Sequence, residues 1–144
     1  MNESSLKKTL SKLNIGGLRY FDSIGSTNDD ALAWASDNAP DLSMVIADEQ
    51  TQGRGRLNRK WFTPKGSALA FSLILRPSAA HCSHLSRTVG LAALSMTESF
   101  LKLGLAPRIK WPNDILLDGK KAAGILVETD WSGDKVSSDR KSVV

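Results

Sequence analysis

The sequence predicts an α+β domain, with a mixed or antiparallel β-sheet flanked by helices and a sheet that ends early. Three patterns support this prediction. Apolar residues alternate with smaller ones over residues 68–75, as in a strand. Apolar residues keep helical spacing over residues 83–103. Between two further apolar runs lies Asp118-Gly119, the strongest short signal for a β-hairpin in the chain.

The N-terminal segment predicts a short amphipathic helix followed by a brief strand. Leu6, Leu10 and Leu13 recur at helical spacing, and the glycine pair at 16–17 ends the pattern. Residues 20–21 then suit a short strand. This leading segment is too short to hold a helix-turn-helix domain.

A second helix is predicted from residue 26. Ser26 or Thr27 can cap its first amides, and Asp29 and Asp30 favour the positive end of the helix dipole. Taken alone, this polar start needs no role beyond capping. The apolar run 42–47 is rich enough in Val and Ile to predict a buried strand.

The loop at residues 50–61 leaves from the end of the strand predicted at 42–47. Its glycines permit a close approach of the backbone to a ligand, and its arginines offer planar forks of donors for carboxylate or phosphate oxygens. We therefore expect the loop to surround a small anion, with burial of Trp61 and Phe62 anchoring its far end. Its glycine and basic residues are Gly53, Arg54, Gly55, Arg56, Arg59 and Lys60.

Composition alone leaves other interpretations of this basic loop open. A basic run is often only a solvated face, and arginine, lysine and tryptophan also suit the phosphates and stacked bases of a nucleic acid. The loop is not a dinucleotide fingerprint, because no third spaced glycine follows it. It is not a Walker loop either, because it lacks the Gly-Lys-Ser/Thr sequence at the required spacing.

The long helix predicted at 83–103 begins at a serine cap and stops at Gly104. His81, Cys82 and His84 lie beside its start. Their spacing is too tight for a standard zinc site and no fourth ligand lies near them in sequence, so no metal site is predicted.

The last predicted strands lie on either side of the hairpin turn. A strand that contains Lys110 is cut short by Pro112, so Lys110 lies at a strand end with its side chain free to reach a site. After the turn, the return strand is predicted at 120–129. Residues 130–144 lack any such pattern, so we expect a domain over residues 1–129 followed by an irregular or disordered tail.

Composition restricts the compartment and the partners. The chain of 144 residues has a net charge of +4 and a pI near 9.4, which suits an anionic partner. Cys82 is the only cysteine, so no disulfide framework is expected. The sequence shows neither a signal peptide nor an apolar run long enough to span a bilayer, which favours a cytoplasmic location without a membrane partner.

Four motifs in order make the sequence resemble the biotin–protein ligase family. Each motif is weak alone, but their order and approximate gaps across residues 20–129 are specific. The resemblance implies the class II synthetase-like catalytic domain of that family. The motifs are Ser26-Thr27-Asn28, Gln50-xx-Gly53-Arg54-Gly55-Arg56-xx-Arg59-Lys60-Trp61, Lys110-Trp111-Pro112-Asn113-Asp114 and Lys121-xx-Gly124-Ile125-Leu126-Val127-Glu128.

The resemblance implies an ATP-dependent enzyme that attaches biotin to a lysine of a biotin carboxyl carrier protein. Biotin's carboxylate attacks the α-phosphate of ATP, with Mg2+, and gives biotinyl-5'-AMP and pyrophosphate. The carrier lysine then attacks the acyl-adenylate and releases AMP. No protein nucleophile is required, so catalysis depends on positioning and on fixed positive charges.

The resemblance also implies which residues form the site. Lys110, Arg54 and Arg56 match the cations near the reacting carboxylate and phosphate, which makes them the candidate catalytic residues. No metal ligand is assigned. The residues matched to binding of biotin or its adenylate are Ser26, Thr27, Asn28, Gln50, Gly53, Arg54, Gly55, Arg56, Trp61, Lys110, Lys121 and Gly124.

The sequence departs from the family pattern in the basic loop and after residue 129. Leu57 stands where the family has an arginine and Asn58 where it has a common glycine, so ordering of the loop is expected to differ. A following strand with a Gly-Ile-Gly-x-Asn-like motif is missing, and weak or lost activity is therefore expected. An N-terminal DNA-binding domain is missing too, so DNA binding is not expected. A homodimer stays open.

Two other function classes stay open. A lipoate–protein ligase-like acyltransferase would share the architecture, and competition between the two acids would distinguish it. A non-catalytic anion- or nucleic-acid-binding domain would use the same basic loop, and a steep salt dependence of nucleic-acid binding would favour it.

Overall fold

The structure, a computed structural model, describes residues 3–78, 84–130 and 141–143. The chain forms two compact units. The first unit comprises Met1–Ser78 and Glu128–Val144, and the second unit comprises Ala79–Val127. The sequence predicted a single domain over residues 1–129. Within this stretch an internal segment forms the second unit, and the chain returns to the first unit at Glu128.

Over the described residues, the helices are α1 (Glu3–Leu10), α2 (Thr27–Ser36) and α3 (Thr88–Lys102). The strands are β1 (Gly17–Phe21), β2 (Ser43–Ala47), β3 (Ala70–Leu75), β4 (Arg108–Lys110), β5 (Asp114–Leu117), β6 (Lys120–Gly124), β7 (Glu128–Asp130) and β8 (Lys141–Val143). A 3-10 turn, Arg56–Asn58, lies within the basic loop. The predicted α+β class is confirmed.

The first unit is organised around a five-stranded mixed sheet with the order β1-β2-β3-β8-β7. β1 runs parallel to β2, with Tyr20 opposite Ile46, and the remaining neighbours are antiparallel. β2 and β3 pair directly, with Ala47 opposite Ala70. The basic loop therefore connects two adjacent strands at one end of the sheet.

Helix α2 packs on one face of this sheet and forms the core of the first unit. Ala31 and Ala35 of the helix are fully buried against Val45 and Ile74 of the strands. The alanines let the helix approach the sheet closely, while full burial of a valine or isoleucine contributes about 1.5–3 kcal/mol each. This packing fixes the N-terminus of α2 beside the loops that follow β1 and β2.

Arg76 caps the C-terminal end of α2 from the end of β3. Its Nε donates to the carbonyl of Ala39 at 2.7 Å, and its Nη2 donates to the carbonyl of Ala35 at 2.8 Å. The backbone amide of Arg76 also donates to Asp41. A cation in this place satisfies the Ala35 carbonyl in the last turn of the helix and complements the negative end of the helix dipole.

The second unit pairs α3 with a three-stranded antiparallel sheet in the order β4-β5-β6. Ile115 at the centre of β5 is fully buried, as is Ala93 of the helix. The predicted hairpin turn is confirmed, because Asp118 and Gly119 both have positive φ, 49° and 76°, as a type I′ turn requires. Within the helix predicted at 83–103, the α-helix begins at Thr88, and Ser83 lies outside the described residues.

The prediction of one continuous return strand over 120–129 is wrong. β6 ends at Gly124, and the next residue, Ile125, forms hydrogen bonds with Asn113 through both its amide and its carbonyl. The Ile125 amide donates to the Asn113 carbonyl at 2.9 Å, and Asn113 Nδ2 donates to the Ile125 carbonyl at 3.1 Å. The next strand, β7, begins at Glu128 and pairs with β8 of the first unit instead.

Beyond residue 130, the structure also differs from the expected irregular tail. Residues 141–143 form β8, which lies between β3 and β7. Residues 131–140 lie outside the described residues. Among the helices that the structure describes, none is long and apolar enough to cross a bilayer.

Candidate functional site

A buried cluster of neutral polar side chains lies where the N-terminus of α2 meets the sheet. Gln50 is its centre: the Gln50 Oε1 atom accepts hydrogen bonds from the Thr27 amide at 2.8 Å and from the Thr27 hydroxyl at 2.9 Å. Gln50 Nε2 donates to the hydroxyl of Thr63 at 3.4 Å. All three residues are less than a tenth exposed. Because buried polar groups need partners, these bonds fix the side-chain amide of Gln50 in one orientation.

Ser72 extends this cluster from β3. Its hydroxyl lies 2.9 Å from the Thr27 hydroxyl oxygen and also makes a short contact with Asn28 Oδ1. A serine hydroxyl carries one hydrogen, so it can donate fully to only one of these oxygens at a time. Ser72 was not among the residues predicted from the sequence. The available signal was a serine between Ala70 and Ile74, at a position of β3 that faces the core.

Ser26 is the N-cap residue of α2 and is buried, but its side chain makes no capping hydrogen bond. The predicted helix start is therefore confirmed, whereas capping by the Ser26 hydroxyl is wrong. The Thr27 hydroxyl donates to Gln50 Oε1 instead, and this side chain forms part of the polar cluster.

The basic loop folds back on itself as a short ladder. The Trp61 amide donates to the Gly53 carbonyl at 2.8 Å, and the Gly55 amide donates to the Arg59 carbonyl at 2.7 Å. A Cβ atom on Gly53 would lie 2.3 Å from the Trp61 carbonyl oxygen, so this close approach requires glycine. Arg56 is exposed on the turn between the two sides of the ladder.

The expected anchoring of the loop by burial of its aromatic pair is wrong for Phe62 and holds only in part for Trp61. Phe62 is 85% exposed, whereas Trp61 is half-buried. The neighbouring Thr63 is buried instead and pairs with Gln50 as an isolated β-bridge. Side chains alternate along an extended segment, so burial of Thr63 turns Phe62 outward.

Arg54 lies between two carboxylates. Its Nη1 and Nη2 donate to the two oxygens of Asp29 at 2.7 and 2.6 Å, and Nη2 also donates to Glu128 at 3.2 Å. The hydrogen bonds to Asp29, with the nearby charge of Glu128, raise the pKa of Arg54 above its ordinary value against the opposing effect of burial. Arg54 therefore stays a cation at every working pH.

Glu128 joins this ion-paired arginine to the neutral cluster. One of its oxygens accepts a hydrogen bond from Asn28 Nδ2 at 2.7 Å, and the same carboxylate accepts from Arg54. Hydrogen bonds thus connect Gln50, through Thr27 and Ser72, to Asn28 and on to Arg54. The four predicted residues Thr27, Asn28, Gln50 and Arg54 come together through these hydrogen bonds. Glu128, which joins them, was not predicted from the sequence.

Three of the predicted site residues, Lys110, Lys121 and Gly124, lie in the second unit. Lys110 is exposed at the end of β4, opposite Asp114 of β5. Lys121 forms an ion pair with Asp114 at 2.7 Å, and Gly124 is the register partner of that same aspartate. The meeting of Lys110 with Arg54 stays a prediction, because the two residues belong to different units.

No group of three or more histidine, cysteine or acidic side chains suited to a metal ion is present among the residues that the structure describes. His81 and Cys82, which the sequence analysis considered, lie outside them.

Solved structures with the same fold are biotin protein ligases. The chain resembles the biotin protein ligase from Aquifex aeolicus in complex with biotin and ATP, with a TM-score of 0.71 and 31% identity over 88% of this chain and 50% of that one. It also resembles the enzyme from Leishmania major in complex with biotinyl-5-AMP, with a TM-score of 0.66 and 26% identity over 88% of this chain and 55% of that one.

Residues 20–137 match the Biotin/lipoate A/B protein ligase family, and the chain belongs to that family. It is 43% identical over 122 residues to the bifunctional ligase/repressor BirA of Bacillus spizizenii, covering 84% of this chain and 37% of the relative. It is 43% identical over 119 residues to the biotin–[acetyl-CoA-carboxylase] ligase of Paracoccus denitrificans, covering 78% and 47%. The chain thus spans less than half the length of these relatives.

Proposed function

We propose that this chain is the biotin- and adenylate-binding part of a biotin–protein ligase. The reaction joins biotin to a lysine of a biotin carboxyl carrier protein through biotinyl-5'-AMP, with ATP as the co-substrate. The observation that supports this most directly is the connection, through Asn28 and Glu128, between a buried neutral polar cluster and an arginine. Biotin combines the same two chemistries, because it has a neutral ureido ring at one end and a carboxylate at the other.

In this proposal, the neutral cluster binds the ring. Gln50, Thr27 and Asn28 offer amide and hydroxyl groups whose orientations are set by one another, so little freedom is lost when a ligand replaces water. Ser26, Gly53 and Trp61 complete the ring site on the same unit. Lys121 and Gly124 are proposed to line it from β6.

The cations of the site are proposed to bring two anions together. A carboxylate oxygen of biotin attacks the α-phosphorus of ATP, the bond to the bridging oxygen of the β-phosphate breaks, and pyrophosphate leaves. Two like unit charges about 4 Å apart repel by roughly 4 kcal/mol at an effective dielectric near 20. Arg54, Arg56 and Lys110 would offset this repulsion, with Gly55 giving the loop backbone room to approach the phosphate.

Mg2+ is proposed to arrive with the nucleotide. The described residues offer no ready-made cluster of ligands for it. This agrees with the usual behaviour of Mg2+, which keeps several waters and binds through substrate phosphates. In the second step, the carrier's lysine amine attacks the acyl carbon of the adenylate, and AMP departs.

The proposal includes a cytoplasmic location, where a carrier protein and ATP meet, and leaves the formation of a homodimer as a prediction. The family as a whole also includes lipoate ligases. Biotin is proposed over lipoate because the relatives of this chain are biotin ligases. A buried cluster of amides and hydroxyls also suits a ureido ring better than the apolar dithiolane of lipoate.

The test is binding followed by chemistry with the 144-residue chain. We expect calorimetry to show saturable binding of biotin that lipoate does not displace. Pyrophosphate release should then require both biotin and ATP. The first step is expected to be weak, since the chain spans under half the length of its relatives. If lipoate displaced biotin, or if neither acid bound, the assignment of the substrate would be wrong.

A further inference from the structure

The ion pair between Arg54 and Asp29 has a geometry that restrains both side chains. Two parallel N–H to oxygen bonds of 2.7 and 2.6 Å join the guanidinium to the carboxylate, and such paired bonds fix the plane as well as the position of the arginine. Asp29 lies in the first turn of α2, whose core side chains are fully buried. The arginine of a surface loop is thus tied to a rigid helix.

Glu128 provides a second restraint from β7. Its carboxylate lies 3.2 Å from Arg54 Nη2 and is 28% exposed, compared with 52% for the Asp29 side chain. The same carboxylate accepts from Asn28 Nδ2 at 2.7 Å. Glu128 therefore orients two proposed ligand-binding side chains at once, one charged and one neutral.

These bonds leave part of the guanidinium for a ligand. Within the described part of the chain, Asp29 and Glu128 take one Nη1 hydrogen and both Nη2 hydrogens. The Nε hydrogen and the second Nη1 hydrogen remain, and arginine has five such donors in a fixed fork. An anion that bound through one of these two hydrogens would not displace either carboxylate.

We infer that Asp29 and Glu128 are positioning residues, which hold Arg54 in its ligand-binding orientation before the anionic ligand arrives. This inference rests on the proposed function. A carboxylate held this close also lowers the net positive charge of the loop. Positioning raises the affinity for an anion, whereas the lower positive charge reduces it. We expect positioning to be the larger effect, because the bidentate bonds order the long arginine side chain before the ligand binds.

A nearby residue provides a matched control. Asp30 is in the same turn of α2 and also pairs with an arginine, but its partner is Arg19, at 3.3 Å. Asp30→Asn therefore removes one charge from the helix N-terminus and one ion pair, as Asp29→Asn does, while leaving the contacts of Arg54 intact. Any difference between the two variants isolates the effect on Arg54.

The first readout needs no ligand. Trypsin must draw an arginine side chain into its own pocket, so cleavage after Arg54 requires release from Asp29 and Glu128, whereas Arg56 and Arg59 in the same loop are exposed. We expect Asp29→Asn and Glu128→Gln to raise cleavage after Arg54, relative to the other two sites, by about fivefold to tenfold. Asp30→Asn should leave that ratio unchanged. Equal ratios in all variants would overturn the restraint.

The second readout is biotin affinity. We expect Asp29→Asn and Glu128→Gln to weaken biotin binding about threefold to tenfold, with Asp29→Glu recovering part of the loss and Asp30→Asn matching the wild type. A loss of folding alone would not be rescued by a restored carboxylate. Unchanged or tighter binding in Asp29→Asn would overturn the inference while the proposed function stands. If the wild-type chain bound no biotin, the proposed function would fail and the ligand role of both carboxylates with it.

Discussion

At the scale of single residues, the site is set by buried hydrogen bonds that have few alternatives. Gln50 accepts two hydrogen bonds from Thr27 and donates one to Thr63. Its side-chain amide therefore cannot rotate without leaving a buried donor unpaired. Such a loss costs about 1–3 kcal/mol. The residues most sensitive to substitution should therefore be small or neutral ones, together with a few ion-paired groups.

Gly53 is one of these sensitive positions. We expect Gly53→Ala to destabilise the first unit by about 1–3 kcal/mol, because the new Cβ would meet the Trp61 carbonyl oxygen at 2.3 Å and force the loop ladder apart. Gly55→Ala is the control, since its nearest neighbour would lie at an ordinary contact distance of 3.6 Å. Denaturant unfolding measures both changes, and similar losses of stability in the two variants would refute this reason.

Tyr20 offers a spectroscopic prediction, because it is the only tyrosine in the chain. Burial, with hydrogen bonds to Asp48 at 3.0 Å and Asp22 at 3.2 Å, raises the pKa of Tyr20 to about 12. The ordinary value is about 10. A raised folded-state pKa means that the stabilisation is complete below pH of about 10 and is lost as the pH rises toward about 12.

Titration of the tyrosinate absorbance should therefore give a midpoint near 12 in the folded chain and near 10 in denaturant. Asp48→Asn should move the folded midpoint downward, because it removes one of the causes of the shift. Tyr20→Phe should abolish the signal altogether. A folded midpoint at the ordinary value would show that the two aspartates do not act on this phenol.

At the scale of secondary-structure elements, the sequence predicted local elements well but did not predict pairings between distant strands. Helices α1, α2 and α3 and the Asp118-Gly119 hairpin follow from spacing and turn chemistry within a few residues. The division of 120–129 into β6 and β7 depends on Asn113, and β8 depends on strands that are far away in sequence. No short-range pattern contains that information.

The same distinction applies to the candidate site. Thr27, Asn28, Gln50 and Arg54 could be chosen because they lie in recognisable motifs, and the structure brings them together. Ser72 and Glu128 come from strands whose neighbours were not predictable. Asp29 was assigned to the helix dipole, since nothing in its local sequence shows that a loop arginine 25 positions later folds onto it.

Helix α2 should depend on its distant arginine cap. We expect Arg76→Met to lower the free energy of unfolding of the first unit by about 2 kcal/mol. The substitution removes the charged donors of the Ala35 and Ala39 carbonyls, which lie beside the hydrophobic core. Arg87→Met, an exposed arginine in the second unit, should change stability by no more than about 0.5 kcal/mol. Equal effects of the two substitutions would remove the capping role.

At the scale of the whole molecule, the proposed chemistry requires residues from both units. Lys110 lies in the second unit and Arg54 in the first. In the proposed function, most of the residues assigned to biotin belong to the first unit, and Lys110 of the second unit is assigned to adenylate formation. Substitutions in the second unit should therefore affect chemistry more than binding of the acid.

Lys110→Ala tests this division of roles. We expect it to lower biotin-dependent pyrophosphate release by about 100-fold to 1,000-fold, the scale of a lost transition-state donor, with little change in biotin affinity. The Lys110→Ala and Arg54→Ala effects should be non-additive in the double variant if both groups act on one anion. Lys102→Ala, which removes a charge from α3, is the control. Near-normal release by Lys110→Ala would refute its catalytic role.

The hydroxyl of Ser72 affects which ligands the first unit can bind. It faces two oxygens, those of Thr27 and Asn28, with a single hydrogen to share. One of these two oxygens therefore keeps a lone pair that can accept a further hydrogen bond. A ligand with an N–H group on that side can donate a hydrogen bond to this oxygen. A ligand with only acceptor oxygens on that side cannot do so.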